Sequence, residues 1–209
     1  MRPTLTTLTL ATLLTLSANA ESVLTVRVYD YTGLSDNTIL KAEALAQKVF
    51  HKAGVETEWV HCPTVRGDEE RFPGCRNPKS ASDVILNVLP ATMESQRVGA
   101  EAFGFALPTA GGRPAAHAYV FFHRVEQAAM KTRNGSEAIS TANLLAHVVA
   151  HEIGHLLLGP NMHSSHGIMR PHWKSGDFRE MEIGQMVFPH DQAKILQTHL
   201  RERAGSPGE

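Results

Sequence analysis

One apolar stretch with polar residues at helical spacing constrains this chain most. Residues 136–158 read SEAISTANLLAHVVAHEIGHLLL, and the apolar residues occupy most faces of a helix with this sequence. This pattern predicts a long, deeply buried helix that begins near Ser136. Gly159-Pro160 is a strong stop signal. Histidines and a glutamate inside such a helix are costly to bury without partners, so the stretch calls for a compensating group.

The spacing of these polar residues indicates what that group is. His151 and His155 are four residues apart, so on a helix their side chains point the same way, one turn apart. Two imidazoles placed like this suit one tetrahedral metal ion. Glu152 beside them can accept a proton from a metal-activated water. His147 lies one turn further back, too far to be a ligand, and we interpret it as a supporting or core histidine.

The residues that follow carry a resemblance to a known family. The run HEIGHLLLGPNMHSSHGIM, residues 151–169, resembles the metzincin zinc peptidases, and the matrixins most. Their pattern is His-Glu-x-x-His-x-x-Gly-x-x-His, followed by a tight turn that carries a methionine beneath the metal. The matching residues here are His151, Glu152, His155, Gly159, His163 and Met169. The resemblance implies that the three histidines bind Zn²⁺ and that Glu152 is the catalytic base.

The spacing after the helix departs from the family pattern. Gly159 comes one residue late and His163 two residues late. The third ligand is therefore open, with His163 favoured over His166. A gluzincin-like site is the remaining alternative, in which Glu180 or Glu182 completes the metal shell.

The rest of the chain predicts an α+β fold. Strands are expected at 22–31, 55–62, 82–90, 101–108 and 115–125, further helices at 35–54 and 188–203, and a turn at 111–114. This order suggests a mixed sheet with a helix packed on it. The family resemblance implies a zincin-like architecture with a mostly parallel sheet, a packing helix, an active-site helix and a C-terminal helix. It also implies that residues 102–107 form an antiparallel edge strand along the cleft, and that His117 is an ordinary strand residue.

The N-terminus and the cysteines indicate export. Residues 1–20 read MRPTLTTLTLATLLTLSANA, the layout of a secretory signal peptide cut after Ala20. Residues 21–209 then form a single domain with no membrane anchor in the mature chain. An even pair of cysteines, Cys62 and Cys75, is expected to form a disulfide in an extracellular or periplasmic protein. The formal net charge of −1 and the lack of a basic patch argue against a nucleic-acid partner.

These observations favour a secreted zinc endopeptidase that acts on peptide or protein substrates. The first alternative is a catalytically inactive zincin-like module for metal binding or protein interaction. Glu152 argues against that module, because its loss is the simplest way to abolish catalysis. The second alternative is a histidine-rich structural or metal-storage protein. A storage tract is typically exposed and repetitive, whereas these histidines lie on one apolar helix.

Overall fold

The structure is a computed structural model. It describes residues 22–205 except 35, 78–79, 94–97, 100, 108–115, 134 and 136–137. The proposed signal peptide and the expected turn at 111–114 lie outside the described residues. Among the described helices, none has the length and apolar character needed to cross a membrane.

The strands of the described chain form one sheet. They are β1 (Leu24–Asp30), β2 (Thr57–His61), β3 (Val84–Leu89), β4 (Gly104–Ala106) and β5 (His117–Phe121). Their order is β2-β1-β3-β5-β4. All neighbours pair in parallel except β4, which pairs antiparallel with β5 at the edge of the sheet. The expected mostly parallel sheet with an antiparallel edge strand is therefore confirmed.

The α-helices of the described chain pack on this sheet and on one another. They are α1 (Asp36–Lys52), α2 (Phe122–Thr132), α3 (Thr141–Leu158), α4 (Ser175–Glu182) and α5 (His190–Ala204). Helix α3 packs on β3, β4 and β5, and its other sides contact α1, α2, α4 and α5. Every residue of α3 from Ala142 to Ala150 is buried. This central position explains why the sequence of α3 is apolar on nearly all sides.

Three details differ from the expectations drawn from the sequence. Helix α3 begins at Thr141 rather than near Ser136, because the Ser140 hydroxyl caps it by accepting a hydrogen bond from the Asn143 backbone. The strand expected up to residue 125 ends at Phe121 and continues directly as α2, whose Val125 and Ala129 are buried one turn apart. Helix α4 was not expected, because its eight residues carry too few apolar positions for a clear period.

The expected disulfide between Cys62 and Cys75 is confirmed, with their Cα atoms 5.3 Å apart. The loop that it closes is also held by a buried cation. The Arg27 side chain donates from Nε to Asp83 at 2.6 Å and from a terminal nitrogen to the Cys75 carbonyl at 3.2 Å. The bridge and Arg27 together attach this loop to strand β1.

Candidate metal centre

Three histidines lie together beside the edge strand of the sheet. One ring nitrogen from each of His151, His155 and His163 lies within 4.8 Å of the other two. His151 and His155 are one turn apart on α3, and His163 comes from the loop that follows the helix. The loop therefore returns to the face of α3 that carries the first two histidines.

A backbone carbonyl fixes the state of the first histidine. His151 Nδ1 lies 2.8 Å from the Ile168 carbonyl oxygen, so Nδ1 carries a proton and donates it. The Nε2 atom of the neutral ring is then left as a lone-pair donor to a metal ion. The pKa of His151 is lowered to about 4, chiefly by burial and to a smaller extent by the two neighbouring histidines. The ring is therefore neutral at physiological pH.

The second helix histidine faces the first at short range. His155 Nε2 lies 3.1 Å from His151 Nε2. Burial, followed by the nearby His163, lowers the pKa of His155 to about 4. Two neutral ring nitrogens this close call for a shared proton or a cation between them. Zinc-bound nitrogens at about 2.0–2.1 Å from a tetrahedral ion lie about 3.3–3.4 Å apart, so the observed spacing fits a metal ion.

The third histidine is held on a folded loop rather than on a helix. Gly159 ends α3 with a φ of +107°, which reverses the chain direction, and Asn161 also has a positive φ of +64°. His163 is exposed, unlike its two partners. The side chain of Gln192 on α5 donates to the Met162 carbonyl at 3.2 Å, which ties the loop down next to His163.

Glu152 lies in the same cleft and is almost fully buried, with 7 % of its surface exposed. Burial raises its pKa to about 8. It packs against Gly104 of the edge strand, where an added Cβ would lie 3.0 Å from Glu152 Cγ and 3.1 Å from Oε1. The missing side chain of Gly104 thus makes room for the carboxylate between α3 and β4.

The three histidines and Glu152 line a cleft of about 600 Å³. Part of its wall is aromatic, where the rings of Phe103 and Trp173 stack with their centres 6.2 Å apart. The Trp173 ring also meets His151 edge-on at 5.5 Å, and its indole nitrogen donates to the Ile168 carbonyl at 3.2 Å. A metal centre on the cleft floor would therefore lie beside an apolar recess.

The other residues considered from the sequence lie elsewhere. Within the described chain, the cluster of potential ligands contains neither His166 nor Glu180 nor Glu182. His166 is exposed, and Glu182 accepts a hydrogen bond from the Ser140 backbone at the start of α3. His147 is buried one turn before His151. Met169 is fully buried beneath α3. A Cβ added at Gly154 would lie 2.6 Å from its sulfur.

Sequence reasoning missed three contributors to this site. The Ile168 carbonyl, Trp173 and Gly104 all act through tertiary contacts. A backbone carbonyl leaves no trace in a sequence, and a lone tryptophan or glycine fits many roles. The one sequence signal that pointed toward this part of the site was the density of aromatic residues around the edge strand.

No family model and no curated protein matches this sequence. Among solved structures, the chain is similar to archaemetzincin from Methanopyrus kandleri, with a TM-score of 0.49 and 17% sequence identity. The match covers 88% of this chain and 99% of that one. An identity this low leaves the function to be inferred from the residues of the site.

Proposed function

We propose that this chain is a zinc-dependent endopeptidase of the zincin-like class. The observation that carries the proposal is the convergence of three neutral histidines and one buried glutamate in a single cleft. His151, His155 and His163 would hold the zinc ion with three protein ligands, the number typical of catalytic zinc sites. A zinc ion bound there supplies a Lewis acid that polarises a carbonyl and stabilises negative charge on its oxygen.

Glu152 is suited to move the proton in this reaction. Its carboxylate would accept a proton from the attacking water and pass it to the leaving amide nitrogen. A pKa near neutral serves both steps, because the group must take up a proton and then release it. The ionised form required for the first step is favoured by a cation held at the three histidines.

The edge strand supports a peptide as the substrate. Strand β4 is the last strand of the described sheet, and it borders the cleft through Gly104, Phe105 and Ala106. An extended peptide can pair with such an edge through backbone hydrogen bonds, which are independent of its sequence. One of its side chains would then enter the apolar recess formed by Phe103 and Trp173.

We also propose that the protein acts outside the cytoplasm. Support comes from the signal-like residues 1–20 and from the Cys62–Cys75 disulfide. Disulfides form and persist mainly in oxidising compartments.

The proposal is tested by digesting a mixed peptide library with purified chain 21–209. We expect endoproteolytic cleavage that a chelator abolishes and that added zinc restores. Metal analysis of the same sample should find one zinc per chain. A protein that holds zinc but cleaves no peptide under zinc-replete conditions would be the inactive metal-binding module instead. Zinc content below about half an equivalent after gentle purification would contradict the metal site itself.

A further inference from the structure

One backbone carbonyl beside the metal centre accepts two hydrogen bonds. The Ile168 carbonyl oxygen lies 2.8 Å from His151 Nδ1 and 3.2 Å from the indole nitrogen of Trp173. A carbonyl oxygen has two lone pairs, so these two donors use its whole hydrogen-bonding capacity. The Ile168 amide donates in turn to the Val187 carbonyl at 3.0 Å. Ile168 is therefore fixed at its amide and at its carbonyl, and Trp173 supplies one of these bonds.

Trp173 also contacts the His151 ring directly. The indole and imidazole rings meet at an angle of 88°, with their centres 5.5 Å apart. This edge-to-face arrangement is a favourable geometry for two aromatic rings. Trp173 thus restrains one candidate zinc ligand in two ways, through the carbonyl that accepts its Nδ1 hydrogen bond and through the ring itself. Rotation of the imidazole would have to break the hydrogen bond and disturb the ring contact.

The segment that carries Trp173 is anchored on α4, away from the three histidines. Asp177 of α4 binds the Arg170 guanidinium at 2.5 Å and accepts a hydrogen bond from the Lys174 backbone amide at 2.6 Å. Asp177 is 4 % exposed, so its carboxylate is shielded from water and its hydrogen bonds are strengthened. Residues on both sides of Trp173 are thus tied to one buried carboxylate. The fold therefore places the indole without help from a metal ion.

We propose that Trp173 is a positioning residue of the metal centre, whose indole ring and N–H group hold His151 in the orientation that zinc binding requires. The inference rests on the proposed function in one respect, that His151 is a zinc ligand. Partners outside the ligand shell fix the tautomer and the ring orientation of a metal-bound histidine, and their loss typically lowers metal affinity about 10–100-fold. Trp173 also borders the cleft, so the role of its N–H and the role of its apolar ring must be tested separately.

Trp173→Phe separates the two roles, because phenylalanine keeps an aromatic ring in the cleft but has no N–H. Trp59→Phe is the matched control, since the Trp59 indole donates to the Thr57 hydroxyl at 3.1 Å on β2, at the opposite edge of the sheet from β4. Zinc affinity of chain 21–209 is measured by competition with a chromophoric chelator. We expect Trp173→Phe to lower zinc affinity by about tenfold and Trp59→Phe to leave it unchanged. An unchanged affinity in Trp173→Phe, or an equal loss in both variants, would overturn the proposal.

A spectroscopic readout distinguishes positioning from a general loosening of the loop. In zinc-loaded protein with ¹⁵N-labelled histidine, the Nδ1–H signal of His151 should shift in Trp173→Phe, because its acceptor carbonyl loses the second donor. The signals of His155 should stay in place, whereas a disrupted site would move those of all three histidines. A His151 signal that does not shift, or a shift shared by all three, would refute the positioning role.

A second variant keeps the shape of the indole. The chain has two tryptophans, so in the Trp59→Phe chain position 173 alone can be replaced by L-3-benzothienylalanine, in which a sulfur atom takes the place of the N–H. This protein should lose as much zinc affinity, relative to Trp59→Phe, as Trp173→Phe loses relative to the parent. An affinity equal to that of Trp59→Phe would refute the role of the N–H. Zinc that binds without peptidase activity would contradict the proposed function and leave this inference intact.

Discussion

The candidate metal centre has a helix half and a loop half that are built in different ways. The helix half is α3, which supplies His151, Glu152 and His155 from a buried scaffold. The loop half is residues 159–173, which supplies an exposed His163. The geometry of the helix half follows from the regular repeat of a single α-helix. The geometry of the loop half depends instead on contacts with the rest of the molecule.

The loop half is held by several hydrogen bonds in place of a helix. The Ser164 amide donates to the Met169 carbonyl at 2.9 Å, and the Ile168 amide donates to the Val187 carbonyl at 3.0 Å. The Arg170 guanidinium binds Asp177 of α4 at 2.5 Å, and Asp177 is buried. Together with the Gln192 bond to the Met162 carbonyl, these contacts fix an irregular segment at several points, near His163 as well as at its far end.

The two halves meet in several contacts, two of which involve Ile168 and Met169 of the loop. The Ile168 carbonyl of the loop accepts a hydrogen bond from His151 Nδ1, and Met169 of the loop packs against Gly154 of the helix. The first contact orients the His151 ring of the helix half. The second sets how closely the loop approaches α3. Predictions that perturb one half, the other half or their contact therefore separate their roles.

The largest effect is expected in the helix half, from Glu152→Gln. Glutamine keeps the size of the side chain but cannot accept the proton. Peptidase activity should fall by roughly 10²–10⁴-fold, the contribution typical of a general base. Zinc content and thermal stability should remain, because Glu152 is not placed among the ligands. Near-native activity in this variant would refute the mechanism, and loss of zinc would make Glu152 part of the metal shell.

The loop half is tested by comparing His163→Ala with His166→Ala. We expect His163→Ala to lower zinc affinity by more than the roughly 10–100-fold that is typical for a residue outside the ligand shell. The exposed His166, three residues away, provides the matched control and should leave affinity nearly unchanged. Zinc affinity is measured by competition with a chromophoric chelator. Equal losses, or the reverse order, would move the third ligand away from His163.

The two halves also differ in how far the sequence predicts them. The spacing of His151 and His155 predicts a shared helix face directly, because the period of a helix is fixed. His163 and His166 are both compatible with the sequence, since the path of the loop depends on Gly159, Asn161 and distant contacts such as Arg170–Asp177. Resemblance to a family with a shorter loop favoured His163 but gave no geometry for the longer one.

The prediction of the fold was also accurate where a local pattern decides the structure and less accurate elsewhere. Strands with dense apolar runs, such as Val84–Leu89, were predicted closely because every residue in them is buried. Helix α2 was missed because Phe121 and Phe122 prolong an apolar run across the end of β5. The start of α3 was misplaced because the deciding signal is a single capping hydroxyl, on Ser140, within a sequence rich in serine and threonine.

The contact between the halves is tested by Gly154→Ala. A Cβ at Gly154 would lie 2.6 Å from the Met169 sulfur and 3.0 Å from the Phe188 ring, so these two buried side chains must shift to make room for it. We expect the free energy of unfolding to decrease by about 1–3 kcal/mol, as is usual for overpacking in a core. Gly176 in α4 has no atoms within 4 Å of an added Cβ, so Gly176→Ala serves as the control. Chemical denaturation measures both. A Gly154→Ala protein as stable as the parent would show that the two halves are not in close contact.

The last comparison separates the titrating groups of the helix half in zinc-free protein. The Glu152 pKa is about 8 in the folded state, against an ordinary 4.5. Between pH 4.5 and 8 the folded state keeps a proton that the unfolded state has released, so stability should decrease as pH rises through this window. His151 and His155 behave in the opposite way. Their folded pKa values are about 4 against an ordinary 6.5, so stability should decrease as pH falls from 6.5 toward 4.

Glu152→Gln removes only the first of these dependences. In urea denaturation of chelated protein, we expect the variant to gain stability relative to the parent steadily from pH 5 to pH 8. Both proteins should lose the histidine contribution as pH falls from 6.5 toward 4, and their stabilities should run in parallel only below about pH 4.5. The Glu152 carboxylate is nine-tenths buried, whereas His163 of the loop half is exposed. The pH-dependent difference in stability between variant and parent should therefore arise in the helix half. His163→Ala is the matched variant in the loop half. It should still lose stability as pH rises from 5 to 8, as the parent does. If the stability of Glu152→Gln follows the parent at every pH, the carboxylate is hydrated in solution. Water would then already reach the base of the cleft before any metal or peptide binds there.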